Sequence, residues 1–149
     1  MIPGLPKQQK GAAAIEFALV FVMFFAVLYG LISYSLPMLM VQSFNAATAE
    51  GVRQGVQVDP VASGSNYGNL LKSTAKAAAA QRVTSWIPPA LNFNVSTDVD
   101  ATYTGGVLTV TISYPTSRLR NVLPFLVLPG IGTVPNLPAN LRATTSMQL

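Results

Sequence analysis

The chain has 149 residues, half of them apolar and only 9% charged, with nine Lys and Arg against five Asp and Glu for a net charge of +4. It has neither cysteine nor histidine, which excludes disulfides, thiol nucleophiles, imidazole bases and the common zinc ligand sets. Its basic residues are scattered from Lys7 to Arg142 without a run or a basic helix face, so nucleic acid is not an expected partner.

From Phe17 to Thr48 no side chain carries a charge. The stretch from Phe17 to about Phe44 is long enough, at about 1.5 Å of helix per residue, to cross a hydrocarbon core of about 30 Å. A single membrane crossing is predicted. A cleavable secretory signal would have a shorter apolar core of about 7 to 15 residues, although Ala47-Thr48-Ala49 offers a small-x-small cleavage pattern. Lys7 and Lys10 precede the span and Arg53 is the first basic residue after it, so the N-terminus is expected in the cytoplasm and the C-terminal two thirds outside. Pro37 falls inside the apolar pattern and predicts a kink rather than a stop, because helix-compatible residues continue through SFNAATAEGVRQGV. The stem is expected to run from about Ala12 to Val56.

DPVASGSNYG then collects loop residues. NLLKSTAKAAAAQRVTSWI predicts a second helix with Leu70, Ala77, Val83 and Trp86 in a buried stripe, ended by Pro88 and Pro89. From Leu91 the period changes: Leu91, Phe93 and Val95 alternate with Asn92, Asn94 and Ser96 as in a half-buried strand. VDATYTGGVLTVTISY reads as two strands around Gly105-Gly106, a dipeptide suited to a tight hairpin, with Leu108, Val110, Ile112 and Tyr114 facing the core. The closing LRATTSMQL alternates again, with Leu141, Ala143, Thr145, Met147 and Leu149 on one side. Between these strands, residues 121–140 hold four prolines and two glycines and are expected as an apolar loop. Two readings stay open for it: a cover completing the small core, or a surface for a partner subunit. The expected fold is α+β, with a long N-terminal transmembrane and stem helix and a second helix packed on a small antiparallel β-sheet.

Glu16 stands at the entrance of the uncharged run. A carboxylate at mid-membrane costs about 2.5 to 3.5 kcal/mol by insertion scales, less near the interface. It either marks the interfacial end of the helix, where acids suit the first turn, or it is compensated by a partner. Few other residues offer chemistry. Asp98 and Asp100, two apart, would share a strand face and could act as paired acid and base or as calcium ligands, or be solvated near a turn. Asn94-Val95-Ser96 fits a glycosylation sequon. Arg118 and Arg120 read as contacts to a neighbour or as surface charge.

Lys10, Gly11, Ala12 and Glu16 together resemble the N-terminal signature of the type IV pilin superfamily. In that superfamily a short basic leader is cut by prepilin peptidase after a glycine, and glutamate is the fifth mature residue. The cut implied here falls between Gly11 and Ala12, and Glu16 is fifth from Ala12. More specifically, GAAAIEFALVFVMFFAVLYGLISYS, NAATAEGVRQGV, VLTVTISYP and LRATTSMQL are similar to TadE-like pseudopilins of the tight adherence (Tad) pilus system. Ala12 departs from the Phe or Met common at the first mature position of ordinary type IV pilins. The chain is also longer than Tad major pilins generally are, which favours a minor subunit.

The resemblance implies a pilin-like fold divided into a leader at 1–11, a transmembrane and stem helix at 12–58 and a periplasmic α+β domain at 59–149. It implies no enzymatic activity, no cofactor and no metal, with Glu16 setting axial register during assembly. The implied partners are other pilins or pseudopilins through their N-terminal helices, the prepilin peptidase, the inner-membrane pilus assembly platform and membrane lipid. The implied location is the bacterial inner membrane, single-pass, with incorporation into a surface pilus as a further step. An uncleaved single-span protein with a periplasmic binding domain and a pilus-tip adhesin are the alternatives.

Overall fold

The computed structural model describes residues 9–128 and 132–149; the first eight residues of the expected leader and residues 129–131 of the expected loop lie outside the described residues. Helix α1 (Gln9–Gly55) runs for 47 residues and continues through Pro37, in agreement with the expected stem. At about 1.5 Å per residue it is about 70 Å long. Only its C-terminal half is built into the domain, where Met40, Phe44, Ala47, Thr48 and Val52 recur on one buried face at three- and four-residue spacing. Asp59 then caps the short helix α2 (Pro60–Ser63), its carboxylate accepting from the backbone N–H groups of Val61 and Ala62.

Helix α3 (Tyr67–Thr84) lies antiparallel against α1 and ends before Pro88 and Pro89, as the prolines require. Its buried stripe is Leu71, Ala75, Ala79 and Val83, at strict four-residue spacing, joined by Ala80. Of the stripe expected from sequence, Val83 is correct. Ala77 is exposed, and Leu70 and Trp86 are each about two fifths exposed. The reason is how closely the helices approach. A Cβ on Gly51 of α1 would lie 2.7 Å from the Ala75 carbonyl oxygen and 2.9 Å from the Ala79 Cβ, and one on Gly55 would lie 3.1 Å from the Ala75 Cβ. Such a contact selects alanines rather than the largest apolar side chains.

The connection after α3 departs from the expected strand at 91–96. Pro89–Leu91 forms a single 3-10 turn, Asn92 adopts a left-handed conformation (φ 49°), and Val95–Asp98 is the short helix α4. Two prolines start the turn, and the Asn94 side chain accepts from the Ser96 N–H at 3.0 Å, holding the backbone in a helical cap instead of a ladder. The apolar positions still point inward. Leu91 is buried, and the Phe93 ring centroid lies 5.9 Å from Phe44 and 6.4 Å from Tyr114. The Tyr114 hydroxyl donates to the Leu91 carbonyl at 2.6 Å, and burial pushes this phenol above its usual range.

Strands β1 (Val99–Thr104) and β2 (Val107–Pro115) form the predicted hairpin, with Gly105 and Gly106 both at positive φ. The helix α5 (Thr116–Leu119) follows, then β3 (Leu126–Leu128), β4 (Gly132–Val134) and β5 (Asn140–Gln148). The main sheet is antiparallel in the order β1-β2-β5. Leu108, Val110, Ile112 and Tyr114 are fully buried against the helices, as predicted. On β5 the buried members are Leu141 and Ala143, while Met147 and Leu149 at the sheet's end are partly exposed. Thr48 of α1 meets Thr145 of β5 through a 2.8 Å hydroxyl pair.

Residues 121–140 are not loop throughout, because β3 and β4 pair with each other through Leu126–Val134 and Leu128–Gly132. The segment covers part of the core and keeps an exposed apolar side as well. Leu123 and Leu137 pack on the core, while Val122, Leu126 and Val127 face outward.

Candidate membrane and assembly surface

The N-terminal half of α1 projects without cover. Every residue from Gly11 to Phe25 is exposed, and the large apolar side chains from Ile15 to Val27 are each at least 53% exposed. Phe17, Phe21 and Phe25 stack along one side, with centroids 6.1 and 6.2 Å apart. Such a surface, on the one described helix long and apolar enough to cross a membrane, suits lipid or other helices rather than water. Gly11, Ala12 and Glu16 all lie on this exposed part, and a Cβ on Gly11 would meet nothing within 4 Å. Ala12 and Glu16 are four residues apart, so the helix sets them on one face a turn apart. The ion pairs among the described side chains are Arg53–Glu50 and Arg118–Asp98, and Glu16 takes part in neither.

Higher on α1 the exposure changes. Ala26, Tyr29 and Gly30 are partly covered, and Ser33 and Pro37 are buried. The cover comes from the segment between α5 and β5. The Tyr29 hydroxyl donates to the Pro124 carbonyl, and the Asn136 N–H donates to the Tyr34 hydroxyl at 2.8 Å. Leu137 and Pro138 line a small apolar recess with Pro37, Met38 and Val41.

Residues 11–53 match the family model described as TadE-like protein. This segment is TadE-like. The match covers nearly all of α1, from the exposed Gly11 to Arg53 beside the α3 contact. Neither the comparison with curated proteins nor that with solved structures found a match. The likeness of this segment to TadE-like proteins points to Tad pilus systems, and the single apolar helix fits a single-pass membrane protein.

The other candidates separate into structural roles. Asp98 and Asp100 do not share a strand face: Asp98 is buried at the end of α4 and Asp100 is exposed on β1. Among the described residues no group of three or more His, Cys, Asp or Glu could hold a metal ion. Asp98 accepts from the Asn94 N–H at 2.8 Å, from Thr97 Oγ1 at 3.0 Å and from Arg118 Nη1 at 2.6 Å. The same Arg118 nitrogen donates to the Asn92 carbonyl at 3.0 Å. Arg118 is thus an internal clamp, while Arg120 is exposed and lies over the Phe125 ring at 5.0 Å. Asn94 of the sequon is occupied as the cap of α4, accepting from both the N–H and the hydroxyl of Ser96.

Removing the clamp strands a buried carboxylate. Arg118→Met is expected to cost on the order of 2 kcal/mol, below the full penalty of a broken buried pair because the Arg118 side chain keeps 30% exposure. A chemical-denaturation midpoint unchanged from the parent would refute this role. Sequence reading also missed the Gly51 and Gly55 contact. The signal was present, since Ala47, Gly51 and Gly55 recur every fourth residue.

Proposed function

We propose that this protein is a minor pilin or pseudopilin of a Tad (type IVc) pilus, processed by prepilin peptidase between Gly11 and Ala12 and acting in assembly or initiation of the fibre. The observation that carries the proposal is the bare apolar stem with a solitary carboxylate, Glu16, one helical turn beyond Ala12, inside the TadE-like segment. Glycine before the cut presents no side chain to a narrow protease site. Cleavage would create an α-amino group, mostly protonated near neutral pH. That ammonium, from this chain or a neighbour, pairs with the Glu16 carboxylate where the dielectric is low.

Assembly then proceeds by lateral packing of apolar stems. Any other axial register leaves a carboxylate unpaired among apolar side chains, so one register is selected. Without residues 1–11 the count is seven Lys and Arg minus five Asp and Glu, or +2. So small a charge favours helix packing over charge-driven association. In this reading the protein is made in the bacterial inner membrane with its N-terminus cytoplasmic and its domain in the periplasm. It meets other pilins, the prepilin peptidase and the inner-membrane assembly platform there.

Intact mass of the membrane-extracted protein tests the proposal. The expected mass lacks residues 1–11. A full-length mass would instead identify an uncleaved anchor carrying a periplasmic domain. Recovery of the processed chain mainly at the ends of sheared fibres would identify a tip adhesin.

A further inference from the structure

The segment between α5 and β5 reaches down α1 to a level where the helix is already membrane-like. If Phe17 marks one edge of a hydrocarbon core of about 30 Å, a helix rising about 1.5 Å per residue leaves it near residue 37. Tyr29 then lies roughly 12 Å inside that limit and Tyr34 roughly 4 Å inside it. These two tyrosines hold the Pro124 carbonyl and the Asn136 N–H. Non-helical backbone at such a depth needs its polar groups satisfied by protein. The tyrosines satisfy two of them, and the β3–β4 ladder pairs others.

Val122, Leu126 and Val127, the last 75% exposed, face outward from this segment, with Asn121, Thr133 and Asn136 as the exposed polar side chains beside them. The contact of Tyr29 with the Pro124 carbonyl brings this patch beside the uncovered apolar surface of α1. Charge agrees with a membrane. No acidic residue occurs after Asp100, whereas Arg120, exposed at the root of the segment over Phe125, is placed to reach anionic headgroups.

We propose that the β3–β4 hairpin is a second membrane contact, its exposed apolar side chains resting in the leaflet on the domain's side and holding the domain against the bilayer. The inference rests on α1 spanning the membrane. It assigns the occupant of this patch as lipid, not a second copy of the chain.

The absence of cysteine allows clean single-site labelling. Full-length chains carrying Phe21→Cys, Val127→Cys or Val61→Cys, each labelled with an environment-sensitive fluorophore, are placed in lipid nanodiscs containing nitroxide-labelled lipid. Val61 is an equally apolar control, 90% exposed just beyond the far end of α1. Position 127 is expected to be quenched by the nitroxide lipid several-fold more than position 61 and shielded from aqueous iodide. Quenching at 21 with none at 127 would overturn the hairpin contact alone, and no quenching at either would overturn the spanning helix with it. Shielding of 127 from iodide without nitroxide quenching would mean that protein covers the patch, which also overturns the inference.

Discussion

Glu16→Val is expected to insert into the membrane at least as well as the parent chain and to lose nearly all fibre assembly. The substitution removes a carboxylate whose mid-membrane cost is about 2.5 to 3.5 kcal/mol and smaller near the interface, so insertion gains or is unchanged. Folding of the domain is also unaffected, because Glu16 lies on the uncovered half of α1, far along the helix from its first fully buried positions at Ser33 and Pro37. In the proposed assembly, what disappears is the one side-chain charge between Ala12 and Ala49, the feature that would distinguish one axial alignment of packed helices from the next. Apolar stems without it associate in many registers of similar energy, and a fibre needs one. The measurement compares protein in sheared fibres with protein in the membrane fraction. Parental piliation by the variant would remove Glu16 from the assembly mechanism. Blocking the proposed cut at Gly11 should give the same assembly defect with the leader retained.

Gly51→Leu is expected to destabilise the outer domain strongly. Helix propensity alone argues the other way, since replacing a mid-helix glycine gains up to about 1 kcal/mol. The packing decides. The first added carbon would sit 2.7 Å from the Ala75 carbonyl oxygen and 3.3 Å from a Val110 methyl, between a helix backbone and the centre of the sheet. A backbone oxygen cannot rotate away as a side-chain end can, so α1 and α3 must separate and the shared core opens. Overpacking costs typically about 1 to 3 kcal/mol, and a leucine here exceeds that range. The expected result is a loss of thermal midpoint of more than about 10 °C for a domain of this size, read by melting the full chain in detergent. Gly30→Ala is the control, because its Cβ would meet nothing within 4 Å. Equal melting of the two variants would refute the close-approach account.

The elements that sequence reading located well are those whose signal is local and repeated. The uncharged run from Phe17 predicted the stem to within a few residues at either end. The alternation around Gly105-Gly106 predicted the hairpin and its core face from Leu108 to Tyr114, since a strand's two faces follow from parity once one face is buried. Glu16 stood out because a lone charge beside an apolar run is visible without any knowledge of the fold, whereas Gly11 was singled out only by the resemblance to the pilin signature. Where sequence reading failed, a non-local partner outweighed the local pattern. Leu70 and Trp86 looked like core residues by size, but the glycines of another helix demanded alanines instead. Leu91 to Ser96 alternated like a strand, yet Asn94 capped a helical turn and the Arg118 clamp held Asp98 beneath it.

Hydrophobic run length, strand parity and the solitary carboxylate are properties of neighbouring residues along the chain, and these alone determine a stem, a hairpin and an out-of-place charge whose assembly role only the resemblance implies. The depth to which the 121–138 segment descends beside Tyr29 and Tyr34 is different in kind, as are the Gly51–Ala75 contact and the burial of Asp98. Each joins groups separated by at least twenty residues. Which of many chemically acceptable partners they meet is set by the space left when the helices and sheet close around one core, and that space exists only in the folded chain.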